Sequence, residues 1–323
     1  MIPKQPEMSK VLIFLKNWML PVCMTAGALA YILYACTPAL KPYGPGIYKV
    51  LTRIQPPLLF AMLFLSFCKI EPGQLRPHRW HLWMLIAQGV IFMGLALFTV
   101  FVPDLGGGTT ILLESAMLCF IGPTATAAAV ITDKLGGSIA GIVTYTIFIN
   151  LLVAVLVPLM FPLVHPMGGE TFWMAFWIIL RKVFPLLIFP ALLAFAVRYL
   201  TPGLHRRIVR YKDLAFYIWA VSLTIAIAIT ARQIHHGGCS LAVLFGIGLI
   251  SLLSCIIQFK AGHAIGRRFG DIVTPGQSFG QKNTVLMIWM GYTFLSPVTS
   301  VAGGLYCIWH NLYNSWQLYR QGK

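Results

Sequence analysis

Long apolar runs constrain the fold of this chain more than any other feature. Of its 323 residues, 58% are hydrophobic and only 10% are charged. Runs of roughly 17 to 25 apolar residues recur along nearly the whole length, and each is long enough to cross about 30 Å of hydrocarbon as a helix. A chain of this composition is not an ordinary soluble domain, and it needs lipid as its solvent.

The pattern predicts an all-α polytopic membrane protein with about ten transmembrane helices. The predicted spans are 17–36, 55–68, 80–102, 110–131, 137–163, 171–200, 213–231, 240–259, 276–294 and 297–317. No soluble domain fits between them. The lysines before the first span are not followed by a small-residue cleavage site, so we expect that span to be retained.

The formal net charge of +16 raises the question of nucleic-acid binding. Lysine and arginine cluster at the ends of the apolar runs, however, where the positive-inside rule places them. With loops counted alternately, one side of the membrane receives Lys69, Arg76, Arg79, Arg198, Arg206, Arg207, Arg210, Lys212, Lys260, Arg267, Arg268, Arg320 and Lys323. The other side receives little beyond Lys41, Lys49 and Arg232. We therefore expect a protein of the bacterial inner membrane with both termini on the cytoplasmic side. Its expected partner is the lipid bilayer, and no nucleic acid is expected to bind.

Several segments of the two halves match in the same order, which predicts an internal repeat. The matched pairs are 120–126 with 278–284, 138–141 with 300–303, and 147–150 with 308–311. The offset between the members is nearly constant. About five spans separate each segment from its copy, and this odd number predicts an inverted-topology repeat.

Glycines and a proline interrupt the fourth and ninth predicted spans. Gly122-Pro123 and Gly280 lie inside apolar runs and not at their ends. Because glycine lowers helix stability and proline removes a backbone donor, both spans are predicted to be broken within the membrane. Backbone groups freed at that depth are tolerated where they line a cavity or are buried in protein. Two such helices crossing at the midplane would present partly positive N-termini to an anionic group. A proline kink without a ligand is the alternative.

Three motifs resemble the bacterial branch of the bile acid:sodium symporter family. They are Gly122-Pro123-Thr124-Ala125-Thr126, Gly280-Gln281-Lys282-Asn283-Thr284 and Trp309-His310-Asn311. The resemblance follows the span order over the whole chain, and it implies ten helices with a core of two crossed, unwound helices and a moving panel. It implies a first repeat over 1–163, a second over 171–323, a core from 80–163 and 240–317, and a panel from 17–68 and 171–231.

The resemblance also implies site residues. The candidates for substrate binding are Thr124, Ala125, Thr126, Asn283, Thr284 and His310. Thr124 and Asn283 match family positions that contact substrate at the crossover, and His310 matches a histidine that faces the substrate crevice. Gln88 matches a glutamine that serves one sodium site.

The sodium site departs from the family pattern. The family's fourth helix reads Thr-Ala-Ser-Asn, whereas this chain reads Thr124-Ala125-Thr126-Ala127 and lacks the sodium-binding asparagine. Ser278 stands where the family usually has a sodium-binding glutamate, and Lys282 where it has a sodium-binding glutamine. Because a site that loses a carboxylate and gains an ammonium is hostile to a cation, we expect the usual sodium dependence to be lost.

Lys282 is the foremost functional candidate, since a lysine inside a membrane is energetically costly. We expect its ammonium to replace the missing ion and to hold the unwound ninth span together by donating to freed carbonyls. Three alternatives stay open: Lys282 carries a proton, binds a substrate carboxylate directly, or snorkels to an interface. Glu114, inside the fourth span, would pair with Lys282, carry protons or snorkel to the headgroups.

These features predict a secondary active transporter that moves a small or amphipathic organic anion by alternating access. A proton is the candidate coupled ion. We expect no enzymatic activity and no cofactor, because no catalytic motif appears. We expect no metal site either, because His235, His236 and Cys239, which lie close together in the sequence, lack further ligands at regular spacing. A cation/proton antiporter is one alternative, and it would need an aspartate at the crossover. A non-transporting membrane sensor or receptor is the other.

Overall fold

The computed structural model describes residues 18–102, 104–211 and 213–321. Within these residues the regular structure is helical, apart from one isolated antiparallel bridge. Seven helical segments of the described chain are long and apolar enough to cross a membrane. The prediction of an all-α polytopic integral membrane protein is confirmed. Residue 17 of the first predicted span, Lys212 and Lys323 lie outside the described residues.

The α-helices of the described chain follow the predicted spans in order. In chain order they are α1 (Met19–Cys36), α2 (Gly44–Cys68), α3 (Arg79–Phe101), α4 (Gly107–Ile121), α5 (Ala128–Lys134), α6 (Ile139–Val164), α7 (Phe172–Leu200), α8 (Pro202–Arg210), α9 (Leu214–His236), α10 (Leu241–Arg267), α11 (Val273–Gly280), α12 (Thr284–Phe294) and α13 (Ser300–Gln321). Short 3-10 helices occupy Pro38–Tyr43, Pro72–Gln74 and Pro297–Thr299.

One predicted span began too late, and one predicted loop is helical. α2 begins well before residue 55, because Pro56 and Pro57 lie inside the helix and do not mark its start. Membrane helices tolerate such prolines where neighbouring groups satisfy the freed backbone. The segment that contains Arg206 and Arg207, treated as a loop in the predicted span order, forms the short, exposed helix α8.

Glycines of α10 allow α11 to lie directly against it. A Cβ atom added at Gly262 would lie 2.5 Å from the backbone carbonyl oxygen of Pro275, and one added at Gly266 would collide with the carbonyl of Asp271. Small residues four apart are typical of close helix packing in membranes. This contact fixes α11, and with it the helix break that follows Gly280.

We expect Gly262→Ala to lower the melting temperature of the purified protein by several degrees. The added methyl group would meet backbone atoms that cannot rotate away, and overpacking of this kind costs about 1 to 3 kcal/mol. Gly248→Ala is the matched control on the same helix, because the nearest atom to its Cβ is a Leu305 methyl group at 3.8 Å. Thermal unfolding in detergent measures both variants. Equal melting temperatures would contradict the close approach of α10 and α11.

Candidate functional site at the helix crossing

Both predicted helix breaks are present. Residues 122–127 separate α4 from α5, and residues 281–283 separate α11 from α12. We call these two stretches the crossing segments. They meet in the interior of the bundle, and most of their residues are buried.

The crossing segments satisfy each other's backbone groups. The amide N–H of Ala125 donates to the carbonyl oxygen of Gln281 over 3.1 Å, and the amide of Asn283 donates to the carbonyl of Pro123 over 2.8 Å. The pattern is that of a very short antiparallel β bridge. Buried backbone groups that lack a partner are unfavourable, so this mutual pairing stabilises two interruptions that neither helix would tolerate alone.

Lys282 is enclosed at the crossing, and its side-chain nitrogen reaches the C-terminal end of α4. The residue is 1% exposed. Its Nζ donates to the carbonyl oxygen of Phe120 over 3.3 Å and lies 5.1 Å from the centroid of the Phe279 ring. The carbonyls at a helix C-terminus carry partial negative charge, so a cation is favoured there. The snorkelling alternative for Lys282 is therefore wrong.

Two buried glutamines bind the neighbouring carbonyls of α4. Gln88 of α3 places its Nε2 3.4 Å from the carbonyl oxygen of Ile121 and 3.2 Å from that of Gly122. Gln258 of α10 donates through its Nε2 to the carbonyl of Cys119 over 3.2 Å. The last carbonyls of a helix have no hydrogen-bond partner within the helix, and at a protein surface water binds them. Here the two glutamine side chains donate to them instead.

Each glutamine is held by a tyrosine. The hydroxyl of Tyr145 in α6 donates to Oε1 of Gln88 over 3.1 Å. Gln258 donates through Nε2 to the hydroxyl of Tyr306 in α13, also over 3.1 Å, and that hydroxyl donates in turn to the carbonyl of Gly280 over 2.8 Å. Both glutamines thus bind the end of α4, and the Tyr306 hydroxyl binds the end of α11.

Gln258 and both tyrosines were not among the predicted site residues. One signal for the tyrosines was present in the sequence, because Tyr145 and Tyr306 correspond when residues 147–150 are aligned with 308–311. Gln258 carried no comparable signal, since a single polar residue in an apolar helix is also typical of ordinary interhelical hydrogen bonding.

The predicted substrate-binding residues come together around the crossing segments. The buried members are Thr124, Asn283, Thr284 and His310, and the half-buried members are Ala125 and Thr126. His310 accepts a hydrogen bond at Nδ1 from the backbone N–H of Lys282 over 3.3 Å. The crossing is most accessible at the end of the first segment, where Ala125 and Thr126 are half-buried and Ala127 is exposed.

Asn283 offers an unused hydrogen-bond donor at the crossing. Its Oδ1 accepts from the backbone N–H of Leu286 over 3.2 Å and caps the N-terminus of α12. This bond fixes the orientation of the amide, and no described residue accepts from Nδ2 although the side chain is only 5% exposed. A buried donor without an acceptor is unfavourable, so this position suits an oxygen atom of a ligand.

Ser278 contributes a backbone group to the crossing. Its carbonyl oxygen accepts from the hydroxyl of Thr124 over 2.7 Å. Its own hydroxyl is buried and has no partner among the described residues. A small neutral side chain thus occupies the position at which the resemblance implies a glutamate.

Glu114 binds groups away from the crossing. Its carboxylate lies 3.0 Å from Nδ1 of His165, accepts from the hydroxyl of Thr299 over 2.7 Å, and accepts from the backbone N–H of Ser296 over 3.2 Å. The residue is 1% exposed. The expected pair with Lys282 does not form, and the snorkelling interpretation is wrong because the carboxylate is enclosed. A role in carrying protons stays a prediction.

The contact with Glu114 makes stability depend on the charge of His165. The hydrogen bond to the carboxylate raises the pKa of His165, which lies just beyond the end of α6. A histidine whose pKa is raised on folding adds stability that is fully present below the unfolded pKa, near 6.5, and is lost as the pH rises through the folded value. The side chain is 44% exposed, so solvent weakens the effect.

We expect the melting temperature to fall as the pH is raised from about 6 to about 8, and the variant His165→Gln to lack this part of the decrease. His78→Gln is the control, because His78 is exposed and is not among the hydrogen-bond partners of Glu114. Melting curves at matched ionic strength measure the difference. An identical pH dependence in the wild type and His165→Gln would exclude the charged pair.

In comparisons with known proteins, no family model matches this chain, and no curated protein sequence matches it significantly. Membership of the bile acid:sodium symporter family therefore stays a prediction from the crossing motifs.

Proposed function

We propose that this protein is a secondary active transporter that moves a small or amphipathic organic anion by alternating access, with Lys282 in place of a coupled sodium ion. The observation that carries the proposal is the buried crossing of two interrupted helices with the side-chain nitrogen of Lys282 beside it. Discontinuous helices at the centre of a membrane protein are the typical substrate and ion sites of secondary transporters.

We further propose that the ten spans form two inverted repeats, and duplicated contacts support this. α3 packs against α4 and α6 in the first half, as α10 packs against α11 and α13 in the second. The bond between Tyr145 and Gln88 joins α6 to α3, and the bond between Tyr306 and Gln258 joins α13 to α10. Equivalent contacts in both halves are expected from a duplicated unit.

The packing also supports a division into a core and a panel. α1 packs against α9, and α2 packs against both α7 and α9. These four helices are the proposed panel, over 17–68 and 171–231. The proposed core, over 80–163 and 240–317, contains both crossing segments. Substrate would bind between the two groups, and their relative motion would open the site to alternate sides.

The contacts of Lys282 favour ion substitution over direct binding of substrate. Its Nζ interacts with the carbonyl of Phe120 and the ring of Phe279, which are groups of the protein interior. A bound cation would stabilise the same negative end of α4, and the tethered ammonium does so without sodium. A proton is the remaining candidate for the coupled ion.

The donors at the crossing favour an anionic substrate. The unpaired Nδ2 of Asn283 and the half-buried hydroxyl of Thr126 would donate to carboxylate or sulfonate oxygens. The crossing segments, residues 122–127 and 281–283, contain no aspartate or glutamate. A cation/proton antiporter would need such a group to bind its cation.

Uptake into proteoliposomes tests the proposal. The probes are a labelled bile acid, a short monocarboxylate and an aromatic sulfonate, each offered with a sodium gradient, with a potassium gradient and with an imposed proton gradient. We expect saturable uptake of at least one probe at equal rates in sodium and potassium. A receptor would be stabilised by a probe without carrying it. An antiporter would dissipate a pH gradient when sodium or potassium is added, with no anion present.

A further inference from the structure

An apolar groove lies on the outer surface of the bundle between α3 and the end of α10. Its volume is about 460 Å³, and none of its lining residues belongs to the crossing segments. α3 contributes Trp83, Ile86 and Val90, and the chain at the end of α10 contributes Arg268 and Phe269. A cavity of this size is large enough for a specific ligand. In a membrane protein, such a groove between spanning helices opens toward lipid chains.

A more polar pocket of about 340 Å³ adjoins this groove, because Phe269 lines both. Arg79 and His78 at the start of α3 form part of its wall, together with Ser138 at the start of α6. One acid, Asp271, also lines the pocket. An apolar cavity therefore lies next to a polar one, an arrangement that matches the acyl chain and the headgroup of a phospholipid.

The charges at this junction favour an anion. Arg79 and Arg268 are both exposed, and within the described residues neither forms an ion pair with a carboxylate. Asp271 is already engaged, since its Oδ1 accepts from the backbone N–H of Thr274 over 2.9 Å. Arginine binds phosphate oxygens through two parallel hydrogen bonds, which suits it to a phosphodiester.

We propose that the groove and the pocket together bind one anionic phospholipid, with an acyl chain along Trp83 and Val90 and the phosphate at Arg79 and Arg268. Basic pockets between spanning helices are suited to acidic headgroups. A soluble anion would use the arginines but would gain nothing from the apolar groove, whereas a lipid uses both. The site does not depend on the identity of the transported solute.

The bound lipid would also affect the crossing. Trp83 and Val90 lie on the same helix as Gln88, and Arg268 directly follows the helix that carries Gln258. Both glutamines bind the carbonyls at the end of α4. A lipid held between α3 and α10 would therefore stabilise the positions of both glutamines.

Copurification of lipid tests the arginines. The protein is extracted from bacterial membranes in mild detergent, and phosphatidylglycerol per chain is measured by mass spectrometry. We expect the wild type to retain about one molecule and the double variant Arg79→Gln, Arg268→Gln to lose most of it. Arg267→Gln is the matched control, because Arg267 is exposed next to Arg268 but does not line the groove. Equal retention by the wild type and the double variant would overturn the proposal.

Filling the groove tests the acyl-chain part separately. We expect Val90→Trp to lose phosphatidylglycerol although both arginines are present. Leu82→Trp is the control, because Leu82 is exposed on the same helix but does not line the groove. Loss from both variants, or from neither, would overturn the proposed chain site. Gel filtration establishes that each variant is folded, and if Val90→Trp aggregates, the arginine variants decide.

Discussion

Replacing Lys282 with methionine is expected to lower solute uptake by about 10- to 100-fold, because a hydrogen bond from a charged group contributes about 1.5 to 3 kcal/mol. Methionine retains much of the apolar stem but removes the ammonium. The carbonyl of Phe120, which now accepts from Nζ over 3.3 Å, would then be buried without this donor. The negative end of α4 would lose the one cation bound to it within the described residues.

Uptake into proteoliposomes at matched protein incorporation measures this effect. Lys260→Met is the control, because Lys260 is an exposed lysine near the end of α10. Uptake by Lys282→Met at the wild-type rate would remove Lys282 from the mechanism. An imposed proton gradient separates the two roles proposed for the ammonium. If Lys282 is a fixed substitute for an ion, the proton gradient should not stimulate uptake by the wild type. If Lys282 carries a proton, the gradient should stimulate uptake by the wild type but not by Lys282→Met.

Introducing the sodium-site residues that the resemblance implies is expected to make the protein depend on sodium. The triple variant Ala127→Asn, Ser278→Glu, Lys282→Gln replaces the ammonium by an amide and supplies a carboxylate and a second amide. Hard cations take several oxygen ligands, and these three side chains provide them at the crossing. Sodium at a hundred times its Kd would then stabilise the folded state by about 2.7 kcal/mol.

Melting curves in sodium, potassium and choline chloride at equal ionic strength measure that shift. The control variant carries Ala127→Asn, Ser278→Gln and Lys282→Gln, so it has the same volume at the crossing but no carboxylate. We expect sodium to stabilise the triple variant and to leave the control and the wild type unchanged. A folded triple variant with no sodium-specific shift would show that Lys282 does not occupy the place of an ion.

The helix breaks could be predicted from the sequence because their causes are local. Gly122, Pro123 and Gly280 weaken a helix through their own backbone properties, wherever the chain around them packs. The partners of the freed carbonyls could not be predicted in the same way. Gln258 lies 139 residues from Cys119 along the chain, and only the packing of α10 against α4 brings the two together.

Glu114 illustrates the same limit. Its position inside an apolar run predicts that the carboxylate needs a partner, and Lys282 was the obvious choice of opposite charge. The partner is instead His165, which follows a different span and lies at the same depth. Depth and facing direction depend on how the helices pack, so they could not be derived from the spacing of charged residues.

The two hydrogen bonds between the crossing segments have a mechanical consequence. They join α4 and α5 to α11 and α12 at the two breaks between these helices. A displacement of one interrupted helix is therefore expected to move the other one with it. If a solute passes here, we expect the path to open by sliding of helix surfaces past one another, while the two paired crossing segments move together.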